Sequence, residues 1–182
     1  MPTVGGSFEM LFRDGPRLFA GATSMLYVGH RSDTNDWWHK KFAPEIGITR
    51  LAVIDILNAN MQSAIGITSE LYTGDIRNPE SVPYSFDLVF WDEGPEHVAK
   101  EEALETLRML KTKHRYVLIS CPWGYQSQGS GPADPEFHHW GPQPEDFESI
   151  GMNTATFGRM FLDNAGHGNL IAWYGADSAS SI

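Results

Sequence analysis

The chain has one cysteine, few basic residues and no long apolar run, and each shortage excludes something. Cys121 alone cannot form an intrachain disulfide, which fits a reducing compartment and leads us to expect a cytoplasmic protein. Lys and Arg number 13 against 23 Asp and Glu, a net charge of −10. That balance repels polyanions at long range and removes the electrostatic term on which nucleic-acid affinity mainly rests. Nucleic acid is therefore disfavoured as a partner, and only a short RNA end stays compatible. The one basic cluster, 111–115, sits where a helix should end, so complementing the helix dipole explains it. No stretch approaches the roughly 18 apolar residues of a membrane-spanning helix, so no membrane partner is expected. Gly5, Gly6, Glu9, Arg13 and Asp14 break up any basic-then-apolar leader pattern.

What is present suits one globular domain. The sequence has 182 residues, 41% hydrophobic and 20% charged, enough for a single core and too few for two. Short β-rich runs alternate with helical segments. The strands expected are 24–28, 50–54, 70–73, 86–91 and 116–119, followed by 153–157 and 169–174. Helices are expected around 36–46 with Asn35 or Asp36 as cap, around 58–65, over 96–110, and as a turn at 144–150. In the third of these, Val98, Ala103, Leu104, Leu107 and Leu110 recur at helical spacing. The rhythm gives a doubly wound parallel sheet with right-handed crossovers, closed by an antiparallel pair. Three accessory parts remain: a cover segment over 1–23, a Gly-, Pro- and Ser-rich loop over 122–142, and a tail over 175–182. A loop that long at a strand's C-terminal end suits substrate recognition.

Ligands of open α/β sheets bind beyond the C-terminal strand ends, near the point where strand order reverses. Four such ends carry polar signals here. Gly29 follows the first strand, where the absence of a Cβ lets backbone amides approach a ligand. Asp55 ends the second, at about the distance from the glycine at which a carboxylate meets ribose hydroxyls in dinucleotide folds. Gly74 and Asp75 follow the third, where a carboxylate can accept from an adenine amino group. Trp91, Asp92 and Glu93 end the fourth. Any one of these acids also suits a helix cap or a turn; the succession is what points to a site.

The order VGH, VIDI, TGDI, FDLVFWDEGPEHV and YVLISCPWG resembles the class I S-adenosylmethionine-dependent methyltransferases over 24–174. The resemblance implies a Rossmann-like seven-stranded sheet ordered 3-2-1-4-5-7-6, with strand seven antiparallel. It implies S-adenosylmethionine as cofactor, with Gly29 under the methionine part and Asp55 holding the ribose. Asp75, with Ile76, would face the adenine, Trp91 to Glu93 would flank the methyl group, and Ile56 and Gly74 would belong to the cofactor site. The family's G-x-G-x-G loop is reduced here to Gly29-His30-Arg31-Ser32-Asp33-Thr34.

Glu93, Glu96 and His97 form an E-x-x-E-H pattern that would share one face if helical, with His138 or His139 as a further ligand. This is similar to the metal-dependent subset that includes the small-RNA 3′-end 2′-O-methyltransferases and some ubiquinone-pathway O-methyltransferases. Mixed carboxylate and imidazole donors suit Mn²⁺, Zn²⁺ or Fe²⁺ as well as Mg²⁺. Without a metal, Glu96 would favour a helix N-terminus, and His97 or His138 would serve as general base. Cys121 reads as a small buried residue. Trp37, Trp38, Trp123, Tyr125 and Trp140 suit either a dry cleft wall or ordinary packing. The expected activity is methyl transfer, on oxygen of a small-molecule or carbohydrate-like acceptor. The alternatives are a catalytically inactive methyltransferase-like scaffold, and a nicotinamide- or nucleotide-binding protein, against which the missing G-x-G-x-x-G counts.

Overall fold

The computed structural model describes residues 6–30, 37–68, 70–81, 85–160 and 167–175, without the side chains of Phe8, Met61, Ser63 and His167. The expected cap at Asn35 or Asp36, the loop positions Arg31–Thr34 and most of the tail lie outside the described residues.

Seven strands form one sheet: β1 Ser24–Val28, β2 Arg50–Asp55, β3 Glu70–Thr73, β4 Leu88–Asp92, β5 Tyr116–Pro122, β6 Asn153–Arg159 and β7 His167–Tyr174. Their order is β3-β2-β1-β4-β5-β7-β6. The first five run parallel, with Tyr27 opposite Val53 on one side and Phe90 on the other. β7 pairs antiparallel to both β5 and β6. This is the order implied by the resemblance, and the chain folds as a Rossmann-like α/β sheet.

Every residue of β5 is buried, as a strand covered on both faces requires. The pleat divides the core. Tyr27, Leu88, Phe90 and Leu118 point to one cluster with Phe19, Trp38 and Phe42. Val89, Trp91, Val117 and Ile119 point to the other, with Leu104, Leu107 and Phe147. The first face is covered by α1 (Ser7–Leu18), a five-residue π-helical turn (Trp38–Phe42) and the short α2 (Ala43–Glu45). The second is covered by α4 (Lys100–Lys113) and α5 (Pro144–Glu148), while α3 (Asn58–Ala64) packs on β2 and β3.

Two expected helices differ. In the described part of the segment expected at 36–46, Trp38–Phe42 is a π-helical turn running into one turn of α-helix at Ala43–Glu45, with Trp38 and Phe42 buried against the sheet. The helix expected from Glu96 starts at Lys100 instead. Pro95–His97 forms a single 3₁₀ turn, and Val98 is extended at φ −123°, ψ 162°. Val98 keeps helical spacing with the α4 core but lies outside the helix, which is why periodicity alone extended it.

Candidate active site

Parallel strands bring their C-terminal ends to one edge, and there a cavity of about 670 Å³ opens. Gly29, Asp55, Ile56, Gly74, Asp75, Ile76, Trp91 and Asp92 all line it, with Glu93, His97 and His138. Its volume falls within the range of small-molecule sites, roughly 300–1,000 Å³.

Gly29 turns at φ 85° and donates its N–H to the Ile54 carbonyl at 3.0 Å. A Cβ there would stand 3.3 Å from the Asp92 carbonyl oxygen and would have to enter a left-handed conformation, so glycine suits this turn best. Asp55 accepts from the Leu57 N–H at 2.7 Å and from Asn60 Nδ2 at 3.2 Å, which fixes its carboxylate at the start of α3. Burial pushes its pKa up, against these donors. A carboxylate has about four lone-pair positions, so hydroxyl donors from a ligand can still be accepted. Beside it Ile56 and Leu57 stay exposed at the cavity mouth, Ile56 by 56%.

Asp75 is engaged more heavily than the sequence suggested. Arg77 bonds it through Nη2 at 2.6 Å and through its backbone N–H at 2.9 Å, and also reaches Glu102 at 2.7 Å. Burial raises the Asp75 carboxyl, but the Arg77 bonds prevail and hold it below the usual range. Ile76 packs in the core beside Trp91 and Leu104. At the end of β4 the Tyr27 hydroxyl donates to Asp92 Oδ2 at 2.6 Å. Burial pushes the Asp92 carboxyl up to about 6, opposed by the Tyr27 and Ser120 hydroxyls.

Next to this lies a second cluster. Glu96 Oε1 is 3.9 Å from His97 Nε2 and 4.0 Å from His138 Nε2, and the two imidazole centroids are 4.7 Å apart. One ligand atom from each lies within 4.8 Å of the others. Glu96 is fully buried, and neither of its carboxylate oxygens has a hydrogen-bond partner among the described residues. Such a carboxylate asks for a cation, so this donor set fits a divalent ion. Burial, and then the nearby Glu93, push the Glu96 carboxyl well above its ordinary value. Burial and the neighbouring His97 push His138 down to about 4, leaving its imidazole unprotonated at neutral pH. Glu93 does not join the group: no α-helix spans 93–97, and Glu93 is exposed, at φ 48°, with its N–H on the Ser120 carbonyl at 2.7 Å. Nor does Glu96 cap a helix, since α4 is preceded by Ala99.

The 122–142 loop delivers His138. Gly124 N–H bonds the Pro142 carbonyl at 2.9 Å and His138 N–H the Gln128 carbonyl at 3.3 Å, making a clamped double-backed excursion. The loop is tied to the 95–97 turn by His139 N–H on the Glu96 carbonyl at 2.8 Å and by Trp140 Nε1 on the Pro95 carbonyl at 3.0 Å. His139 thus contributes its backbone, and its ring meets Phe137. Of the candidate wall aromatics, Trp37 lines the cavity, Trp38 stacks on Tyr27, Trp123 and Trp140 pack partly buried, and Tyr125 is exposed. Cys121 is buried, its thiol pushed well up by burial and then by Glu96.

The sequence reading passed over Arg77, Asn60, Tyr27 and Ser120. Arg77 had a local signal, two residues from Asp75, and Asn60 sits in the first turn after Asp55. Tyr27 reads as one more apolar strand residue, and its tie to Asp92 spans 65 positions.

No family model matches the chain, and no curated protein matches its sequence. Solved structures do match. The small RNA methyltransferase HEN1 is 12% identical with a TM-score of 0.58, covering 96% of this chain and 26% of its own. The chain thus spans about a quarter of that protein. The N-terminal domain of EvdMO1, with S-adenosylhomocysteine bound, is 14% identical with a TM-score of 0.60, covering 93% and 81%. That domain was also solved in the presence of D-fucose. The plantazolicin methyltransferase BpumL, complexed with S-adenosylhomocysteine, is 14% identical with a TM-score of 0.56, covering 91% and 84%. The fold of this chain is the one these methyltransferases share.

Proposed function

We propose that the chain is an S-adenosylmethionine-dependent methyltransferase that acts on a hydroxyl oxygen of a small-molecule or carbohydrate-like acceptor. What supports this most is the convergence of Gly29, Asp55, Asp75 and Asp92, from four successive strand ends, on one cavity of about 670 Å³. In this reading Asp55 holds the ribose hydroxyls, Ile56 and Ile76 flank the adenine, and the methyl group faces the 122–142 loop. The loop, Trp37 and Trp91 exclude water, and catalysis comes mainly from holding acceptor oxygen and methyl carbon in line.

Glu96, His97 and His138 would hold a divalent ion, which as a Lewis acid lowers the pKa of the acceptor hydroxyl. Should the site work without an ion, His138, unprotonated at neutral pH, would accept the hydroxyl proton, with His97 beside it. A carbohydrate-like acceptor is suggested by a structural neighbour that was solved in the presence of D-fucose, and the net negative charge of the chain disfavours anionic substrates. A cytoplasmic setting is supported by the lone, buried Cys121; among the described residues no helix is long and apolar enough to cross a membrane.

Calorimetric titration with S-adenosylhomocysteine, with and without Mn²⁺, tests the reading. The result expected is micromolar-range binding that Asp55→Ala removes. Absence of binding under both conditions would overturn the enzyme assignment and leave an inactive scaffold of the same fold.

A further inference from the structure

Past the residues assigned to the cofactor, the cavity continues along the sheet edge to β5 and β7. Ser7 and Leu11 of α1, Trp37, Ser120, Asn169 and Ile171 line this part, and none of them carries a charge. Alternate residues of β7 share a face, so Asn169 stands on the side of Ile171 while Leu170 turns into the opposite core. In register, Asn169 pairs with Pro122 and Ile171 with Ser120. Leu11 and Ile171 belong to the core cluster against which the half-buried Trp37 packs. Ring contacts with Phe12, Phe42 and Phe90, at centroid separations of 6.2, 5.7 and 5.9 Å, fix the indole. The result is a backed, rigid aromatic wall near one amide.

Asn169 is an unusual choice for its place. β7 runs inside the sheet, between β5 and β6, and asparagine is a poor strand former. Gly168 and Leu170 on either side are buried, Asn169 is half-buried, and its carboxamide bonds no other residue among those described. Ser120, by contrast, is engaged with Asp92. A carboxamide presents N–H donors and a carbonyl acceptor side by side, and adjacent ring hydroxyls each donate and accept. A vicinal diol therefore matches both ends of the amide at once.

We propose that this part of the cavity is the acceptor subsite and takes a neutral sugar ring, Asn169 reading a pair of vicinal hydroxyls while the carbon–hydrogen face lies on Trp37. This rests on the methyltransferase reading and sharpens it, since Asn169 becomes a specificity residue that touches the acceptor and not the cofactor. A sugar acid is rejected, because Asp92 and Glu93 line the adjoining edge and repel a carboxylate.

The test titrates the protein, saturated with S-adenosylhomocysteine, with D-glucose, D-galactose, D-fucose, D-glucuronate and catechol, read by saturation-transfer NMR. The result expected is millimolar-range binding of at least one neutral sugar, with D-glucuronate weaker by about tenfold or more. Asn169→Leu should weaken the sugar by about three- to tenfold, the usual loss for neutral hydrogen bonds, and Trp37→Ala by a similar factor. S-adenosylhomocysteine affinity should stay within about twofold in Asn169→Leu. Because leucine suits an interior strand, that variant should also melt at a higher temperature than the parent. A lower melting temperature, or failure to fold, shows that the amide serves the fold and overturns the assignment. So does sugar binding that Asn169→Leu leaves unchanged, binding of catechol but of no sugar, or binding of none of the probes. A parent protein that does not take up S-adenosylhomocysteine fails earlier, at the methyltransferase reading, and that titration alone tells the two failures apart.

Discussion

Glu96 carries a buried carboxylate with no hydrogen-bond partner among the described residues. A buried carboxylate without a hydrogen bond costs on the order of 1–3 kcal/mol or more, and an apolar side chain of similar shape avoids that cost. Glu96→Met should therefore make the metal-free protein more stable by about 1 kcal/mol or more, while abolishing any stabilisation by Mn²⁺ or Zn²⁺. Thermal unfolding with chelator and with each ion distinguishes the two effects; a destabilised chelated variant would contradict the unpartnered carboxylate. His114 sets a pH dependence. Its Nδ1 lies 3.3 Å from the Phe86 nitrogen and 2.9 Å from the Phe86 oxygen, and burial lowers its pKa below 6.5. As pH falls the unfolded chain takes up that proton first, so the stability linked to neutral His114 is full above about pH 6.5 and is lost on acidification toward the lower folded value. His114→Gln should flatten the decline in urea midpoint between about pH 7 and pH 5. At this scale the sequence was legible where neighbours were local. Glu96 and His97 adjoin, and Asp55 ends an obvious apolar run; the Tyr27–Asp92 bond and the arrival of His138 required the folded sheet.

Strands were easier to read than helices: in β1, β4 and β5 burial on both faces leaves an unbroken apolar run, and the half-exposed β3 is bounded by Gly74. Ser24–Val28 and Glu70–Thr73 have the bounds expected of them, whereas β5 runs on to Pro122. Ser120, Cys121 and Pro122 carry little strand propensity of their own, and it is their antiparallel pairing with Asn169–Ile171 that extends the strand. The start of α4 was misread for the opposite reason: Val98 fits the helical period but points inward from an extended backbone. The 122–142 loop was legible as a feature and illegible as a shape. Its closure depends on Gly141, where a Cβ would lie 2.3 Å from the Tyr125 nitrogen. Gly141→Ala should loosen the loop, speeding its cleavage in limited proteolysis and weakening ion binding through His138. S-adenosylhomocysteine affinity should stay within about twofold, because the cofactor contacts proposed here lie on other elements.

Over the whole molecule, alternation of strands and crossovers implied a parallel sheet closed by an antiparallel pair; the exact strand order came from the family resemblance, and the meeting of the edge residues at one cavity follows from parallel pairing. A ligand that bridges the ends of β2, β1 and β4 couples those strands to each other. Saturation with S-adenosylhomocysteine at about 100 times its Kd should add about 2.7 kcal/mol of stability, and raise the melting temperature by roughly 5–10 °C for a chain of this size. Differential scanning calorimetry reads that shift, and Asp55→Ala should erase it. The clamped loop has one more consequence. Its legs are fixed at Gly124–Pro142 and at Gln128–His138, and its far leg is stitched to the turn bearing Glu96, so the tip over 129–137 hangs outside the fastenings. Changes confined to 130–133 would leave those fastenings in place, whereas Asp134 and Glu136 feel the charge of the Glu96–His97–His138 cluster; if the loop selects the acceptor, that choice and the grip on an ion are inherited together at 134–136 and apart elsewhere.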